Sequence, residues 1–248
     1  MNKGEMLKYS ILQMAMKGEL VPSDDQDDST DNILKKINIE KEDLIFKKRL
    51  KRDKKESIIN RKNDQFYEKK DKEKYCINSE IDFSVPKSWK LMRLGSLVKL
   101  LNPLISKGQN FPYLNAKFLR NQVDPMIKDS GRYIPEGTNI ILVDGENSGE
   151  VFTTFCEGYL GSTFRELFIP KVLNADFVLY FIESYKEYLK NSKKSAAIPH
   201  LNKEIFNNLL IGIPPLEEQK RIVEKIEEVL PLIEKYGNLI DELEHIYK

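Results

Sequence analysis

The sequence of 248 residues predicts an α+β fold, one mixed α/β domain attached to long helices of coiled-coil type. Three observations carry that prediction. The last thirty or so residues step their apolar side chains at helical 4-3 spacing without a break. The centre alternates short apolar runs with Gly, Pro and Asn turns, the signature of short strands. Between the two lies "NADFVLYFIESYKEYLKNS", which sets Phe177, Phe181, Tyr185 and Tyr188 on one helical face behind an Asn174 cap. The length allows one large domain or two small ones, and 40% hydrophobic content is enough for a real core.

The elements follow in order. Residues 1–22 form a first unit, in which Leu7, Ile11, Met14 and Gly18 fall at 4-3-4 spacing, an amphipathic helix with Gly18 as its stop. Residues 23–84 read as a charged, partly helical and flexible linker. It begins with five Asp within Asp24–Asp31, which bury nothing. It continues in a second helix from about Asn32 to Lys48 and ends in a lysine-rich stretch expected to be mobile. The composition changes at "DFSVPKSWKLMRLGSLVKLL", around the lone Trp89, and opens a globular domain over residues 85–213. Within it "NIILVDGENSGEVFTTF" reads as strand, Gly-rich turn, strand, and "GYLGSTFRELFIP" as a turn and a further strand.

Residues 214–248 are the clearest segment. Ile222, Ile226, Val229, Ile233, Tyr236, Ile240, Leu243 and Tyr247 make a heptad seam of more than three heptads, flanked by a second stripe of Val223, Leu230, Leu232, Leu239 and Ile246. Pro214 and Pro215 suit the entrance, Glu217 and Glu218 complement the dipole of the first turn, and Pro231 lies off the seam. An exposed stripe of this length is costly in water, so the seam is expected to pair two copies of the chain as a homodimer. The competing arrangement packs the seam on the chain's own N-terminal helix.

No run approaches the roughly 18 apolar residues that a membrane span needs, so no membrane partner is expected. The first twenty residues do not read as a signal peptide. Cys76 and Cys156 stand far apart without paired spacing, as in a reduced, cytoplasmic protein. The net charge of +1 conceals a pattern: residues 47–215 carry 29 basic against 20 acidic groups, while the two ends together carry 11 against 19. That division suits a centre that meets a polyanion and ends that meet something else, although charge runs are also what plain solvated faces look like.

Catalytic patterns are missing from the sequence. It has no G-x-x-x-x-G-K-[ST] phosphate loop, no G-x-S-x-G elbow, no H-E-x-x-H pair, and no Asn/Asp-Pro-Pro-aromatic loop of the kind amino-methylating enzymes use. His200, His245 and two isolated Cys do not make a zinc site. Asp144, Glu146 and Asn147 could suggest a metal loop, but a tight hairpin turn explains the same residues. No catalysis by this chain and no cofactor or metal are expected. A more coherent constellation lies in the domain. Lys107, Asn115, Lys117, Arg120 and Asn121 surround Phe111 and Tyr113, and Arg132, Arg165, Lys193, Lys194, Ser195 and His200 add to them. Lys and Arg neutralise phosphates, while Asn and Arg pair with base edges, so these are candidate contacts to double-stranded DNA.

Four segments add to this reading. "LKYSILQMAMKGELVP" resembles the central conserved region of type I restriction–modification specificity subunits, and "VPKSWKLMRLGSL" the entry into one of their target-recognition domains. "IILVDGENSGEVF" with "GYLGSTF" resembles the interior of such a domain, and "IPHLNKEIFNNLLIGIPPLEEQKRIVEKIEEVL" its exit and the conserved helix that follows. The order is the family's, and the four segments together cover most of the chain outside the variable linker at 24–84. The resemblance implies a DNA-recognition subunit that is not itself an enzyme. Methylation and cleavage would belong to modification and restriction subunits as partners, with S-adenosylmethionine and ATP on those partners only. It also implies a half-subunit, because one recognition domain and one set of helices stand where the family has two. The alternative, from another class, is a coiled-coil scaffold or adapter whose globular domain binds protein.

Overall fold

In a computed structural model, which describes residues 3–24, 27, 30–52, 57–70, 73–192 and 199–246, the chain begins with α1 (Lys3–Met16) and α2 (Asp31–Phe46). Gly18 ends the first of these in the left-handed region at φ 76°, where the pyrrolidine of Pro86 and the ring of Trp89 leave no room for a Cβ. The buried face of α1 is Leu12, Ala15 and Met16 rather than the Leu7–Ile11–Met14 stripe that defines it in sequence; Leu7 and Met14 stay exposed.

The expected second helix is α2, but the described residues of the lysine-rich stretch form strands rather than a mobile segment, which corrects that part of the sequence expectation. Ile33 and Ile37 of α2 join the main core, Lys41 donates from Nζ to the Ser96 carbonyl at 3.1 Å, and Glu40 accepts from the Lys171 and Val172 amides. The lysine-rich stretch forms an antiparallel three-stranded meander, β1 (Ile58–Lys62), β2 (Gln65–Lys70) and β3 (Glu73–Cys76), followed by a 3₁₀ turn at Asn78–Glu80. Its first turn is Asn63–Asp64, both at positive φ, the geometry a two-residue hairpin needs. Phe66 is buried in the main core, and Glu68 takes the Arg93 guanidinium at 2.6 Å with both side chains largely buried. Burial pushes the Glu68 carboxyl up, but hydrogen bonds from Arg93 and Ser57 and the nearby positive charge outweigh it and hold the group low.

The central domain then runs β4 (Lys90–Arg93), α3 (Leu94–Leu97), β5 (Lys99–Leu101), β6 (Ile105–Leu114), α4 (Ala116–Leu119), β7 (Ile127–Ile134), β8 (Asn139–Leu142), β9 (Val151–Thr153), β10 (Gly158–Leu160), β11 (Phe164–Phe168), α5 (Ala175–Ser184), α6 (Lys186–Asn191), α7 (Lys203–Asn208) and β12 (Leu210–Ile213). One sheet has the order β5-β11-β8-β9; β6, β7 and β10 close on one another as a small barrel; β12 pairs with β4. The expected strand–turn–strand is the β8–β9 pair, with Ile140 opposite Phe152. Asn174 caps α5 by accepting the Phe177 amide at 3.1 Å, and Phe177 and Phe181 are buried as their spacing requires. The chain breaks at Tyr185, so Tyr188 sits on α6 and is exposed.

The last element, α8 (Leu216–Ile246), is one helix of 31 residues and about 45 Å at about 1.5 Å per residue. Pro231 is carried within it on an exposed face. The entrance is locked by side chains rather than by charge alone. Trp89 donates from Nε1 to Glu218 at 2.9 Å, and Gln219 donates to the Pro214 carbonyl while accepting the Asn174 amide, all inside the core. Arg221 grips Asp27 with both terminal nitrogens, and those hydrogen bonds hold the Asp27 carboxyl below its usual range.

The heptad seam divides along α8. Ile222, Ile226 and Ile233 are buried within this chain, with α1 and α5 packed against the helix, so they cannot also serve a partner; this corrects their assignment to a dimer seam. α1 comes so close that Gly4 Cα would lie 3.1 Å from a Cβ at Gly237, tighter than an ordinary contact. Val229 and Ile240 are half-buried. Beyond them Leu232 (63%), Tyr236 (54%), Leu239 (50%) and Leu243 (52%) remain exposed, as does Met6 on α1. Tyr247 lies outside the described residues.

Candidate nucleic-acid interface

The described candidates lie on β6 (Lys107), on α4 and its flanks (Asn115, Lys117, Arg120, Asn121), on β7 (Arg132) and on β11 (Arg165), elements that carry a second, smaller core of Leu114, Leu119, Ile134, Ile140, Leu142, Leu160 and Phe164. β6 and β7 pair in register at Lys107–Ser130, slip, and resume at Phe111–Lys128. Gly108, at φ 88°, lies within the slip. Tyr159 fixes this irregularity from beneath: fully buried, it points its hydroxyl at the Gln109 carbonyl (2.9 Å), with the Asp129 carbonyl at 3.3 Å. β7 passes it at Gly131, where any Cβ would lie 2.8 Å from that of Tyr159. Phe111 stacks on Tyr133 and Tyr159 with centroids 5.3 and 5.5 Å away.

Three candidates present free polar ends on this frame. Lys107 and Lys117 are exposed, and so is Asn121, which closes the turn after α4 at φ 55° by donating its amide to the Phe118 carbonyl at 2.8 Å. A fourth group, absent from the sequence list, joins them: the Lys128 ammonium lies 3.4 Å above the Tyr113 ring. The signal for it was strand pairing, which opposes Lys128 to Phe111 and is invisible in linear spacing.

The other described candidates are engaged within the chain. Asn115 caps α4, its side-chain oxygen accepting the Lys117 and Phe118 amides at 3.0 and 3.1 Å. Arg120 is ion-paired with Glu150, which raises the arginine's pKa and ties α4 to the turn after β8. Arg132 donates to the carbonyls of Leu160 (3.3 Å), Gly161 and Phe164 (3.2 Å), pinning the β10–β11 connection. Burial and the neighbouring Arg165 lower its pKa, with Tyr113 and Asp144 opposing. Arg165 turns back onto the Ser162 and Phe164 carbonyls at 3.1 and 2.8 Å. These guanidiniums supply donors to carbonyls and a carboxylate of the connections between strands. Lys193, Lys194 and Ser195 lie outside the described residues.

The segment Asp144–Glu150 is a turn. The Ser148 amide donates to Gly145 O and the Glu150 amide to Asn147 O, both at 3.1 Å, with Gly145 at φ 115°. Asp144 meets His200 Nδ1 at 2.6 Å, and the Gly145 amide donates to the Pro199 carbonyl at 2.8 Å, so the chain around His200 docks on this turn. Sequence reading had Asp144 and His200 in separate roles.

Comparison with known proteins gives the same picture from another side. A family model described as the type I restriction modification DNA specificity domain matches residues 86–245. The chain is similar to the type I restriction enzyme MjaVIII specificity subunit of Methanocaldococcus jannaschii, 32% identical over 170 residues, covering 64% of this chain and 40% of that protein. It is similar also to the EcoAI specificity subunit of Escherichia coli, 25% identical over 262 residues, covering 95% of this chain and 41% of that one. The chain thus spans about two fifths of the length of these relatives. Among solved structures, one titled for complex assembly and conformational transition of the type I R-M system aligns with a TM-score of 0.51 at 19% identity, over 66% of this chain and 44% of that one.

Proposed function

Since the chain belongs to the type I restriction–modification DNA specificity family, we propose that it is the sequence-reading subunit of such a system. Its central domain reads one half of a bipartite site in double-stranded DNA, and its helices recruit modification and restriction subunits. Methyl transfer and cleavage are the partners' chemistry. The observation that carries this reading is the family match, which runs unbroken from the domain entrance through most of α8. The exposed Lys107, Lys117 and Asn121 and the half-buried Lys128 on the β6–α4–β7 frame support it. The lysines are phosphate contacts and Asn121 is a base-edge donor and acceptor. The internally engaged Arg120, Arg132 and Arg165 hold that surface in shape.

The distal half of α8 supplies the dimer. With Ile222, Ile226 and Ile233 consumed inside the chain, Leu232, Tyr236, Leu239 and Leu243 together with Met6 and Leu7 of α1 form the self-complementary face. Two such copies, paired antiparallel over residues 232–243, set a recognition domain at each end of a rod of roughly 65 Å at about 1.5 Å per residue, longer than the roughly 34 Å of one DNA turn. Each domain then reads the same half-site, in inverted orientation.

Binding to fluorescent duplexes across a salt series, with the modification subunit present, tests the proposal. Six phosphate contacts predict a loss of about 10³-fold between 50 and 200 mM salt. Binding that is absent with the subunit supplied, or indifferent to salt, refutes DNA reading and leaves the domain as a protein adapter.

A further inference from the structure

The β1–β2–β3 meander has two unlike faces. The inner one carries Phe66 into the core, Glu68 onto Arg93, and Arg61, which stacks over Phe66 and donates to the Val85 carbonyl at 3.1 Å. The register fixes what lies on the other side: Lys62 opposite Gln65, Tyr67 opposite Asn60, and Lys69 opposite Lys74. Two contacts corroborate that shared face. The Lys74 ammonium lies 4.3 Å above the Tyr67 ring, and the Tyr67 hydroxyl donates to Gln65 at 2.6 Å. Of these six residues only Tyr67 is partly buried; the other five are exposed, as are Ile58, opposite Lys69, and Cys76, opposite Tyr67, which share that face.

The outer face carries no carboxylate among the described residues. Asp64 lies in the turn, bound to Arg61, while Glu68 and Glu73 fall on the inner side by strand alternation. Nor do Lys62, Lys69 or Lys74 form an ion pair among the described residues. The meander is therefore a plate tied to the domain by a buried ion pair and an aromatic side chain, and it displays three ammonium groups without an ion pair among the described residues, beside Asn, Gln and Tyr side chains. Lys62 stands four strand positions from the Lys69–Lys74 pair, about 13 Å at roughly 3.3 Å per residue. A duplex of that length presents about eight phosphate charges.

We propose that this outer face is a second DNA contact, binding the phosphate backbone of the duplex without reading its sequence. The inference rests on the central domain being a DNA reader. It adds a surface outside the β6–α4–β7 frame and outside the matched family region, in a segment whose composition alone looks like a linker. A phosphate plate of this kind adds affinity and salt dependence while leaving the target sequence unchanged.

The test replaces Lys62, Lys69 and Lys74 together by Ala, with the corresponding triple Arg variant as control. Binding of the full chain with its modification subunit to target and scrambled duplexes is measured between 50 and 200 mM salt. If each lysine meets one phosphate, the Ala variant lowers the salt slope by about 2.7, so wild type loses about 40-fold more affinity than the variant over that range. The loss is equal on both duplexes, and the Arg variant retains the wild-type slope. An unchanged slope in the Ala variant overturns the plate while wild-type binding keeps the central reading intact. Loss of association with the modification subunit in place of the slope change overturns it too, since the face then docks protein. Absence of DNA binding by wild type removes both readings at once.

Discussion

Leu239 and Ile226 belong to the same helix and both present aliphatic side chains, yet they should fail in opposite ways. Ile226 is fully buried within its own chain, whereas Leu239 is half exposed on the distal face. Ile226→Ala leaves a cavity in the protomer core, at a cost of about 2–5 kcal/mol. In a domain of this size that lowers Tm by roughly 4–20 °C. Leu239 presents on the order of 80 Å² of apolar surface, so covering it contributes about 2 kcal/mol at about 25 cal/mol per Å². A two-fold interface loses that twice, about 4 kcal/mol per dimer, equivalent to roughly 10³ in Kd. Alanine favours helix, so Leu239→Ala leaves α8 and the dilute protomer's Tm unchanged. Sedimentation equilibrium over a concentration series reads the first effect, and thermal melting at low concentration the second. An unaltered dimer constant in Leu239→Ala, or a melting loss as large as that of Ile226→Ala, would refute the division of α8 into an internal and an external half.

Further outcomes follow from the sites described. Glu218→Ala removes the acceptor of the buried Trp89 Nε1 and should cost about 1–3 kcal/mol in chemical denaturation. Burial, with Asp27 nearby, raises the Glu218 pKa against the Trp89 and Ser23 hydrogen bonds and the Arg221 charge. The folded state therefore holds the proton more tightly than the unfolded one, and wild type should gain stability relative to Glu218→Gln as pH falls through the window just above the ordinary glutamate pKa. A difference independent of pH would show that the carboxyl does not titrate on folding. Arg132→Ala strips donors from three carbonyls and should lower stability by about 1–3 kcal/mol, whereas Lys117→Ala should leave melting untouched while reducing the DNA salt slope by about 0.9. Gly237→Leu should push α1 off α8, because the approach leaves 3.1 Å for a Cβ; increased protease cleavage within residues 3–22 reads this out.

Much of the architecture was legible because it rests on periodicity. The 4-3 spacing located α8, the Asn174 cap located α5, and the Gly-rich stretch located the β8–β9 turn. Periodicity did not say which side of a helix would be covered, since that depends on what packs there. Leu7 and Met14 define the stripe of α1, while Leu12, Ala15 and Met16 bury it. The meander escaped notice because its lysines mask the alternation of Ile59, Phe66 and Glu68; the Asn63–Asp64 turn was its one strong local signal. The arginines were visible as charge, but their carbonyl and carboxylate partners lie about 30 residues away in sequence for Arg120 and Arg132. For that reason charge counting grouped Arg120 and Arg132 with Lys107 and Lys117, although folding gives them separate tasks.

The role proposed for this chain is to choose a DNA sequence on behalf of other subunits. Mapping methylated bases in DNA exposed to the chain together with its cognate modification subunit tests that claim most directly. The expected result is one defined bipartite motif whose halves are inverted copies, with no methylation when either component is omitted. Methylation scattered without a motif, or the same motif produced by the modification subunit alone, would contradict it.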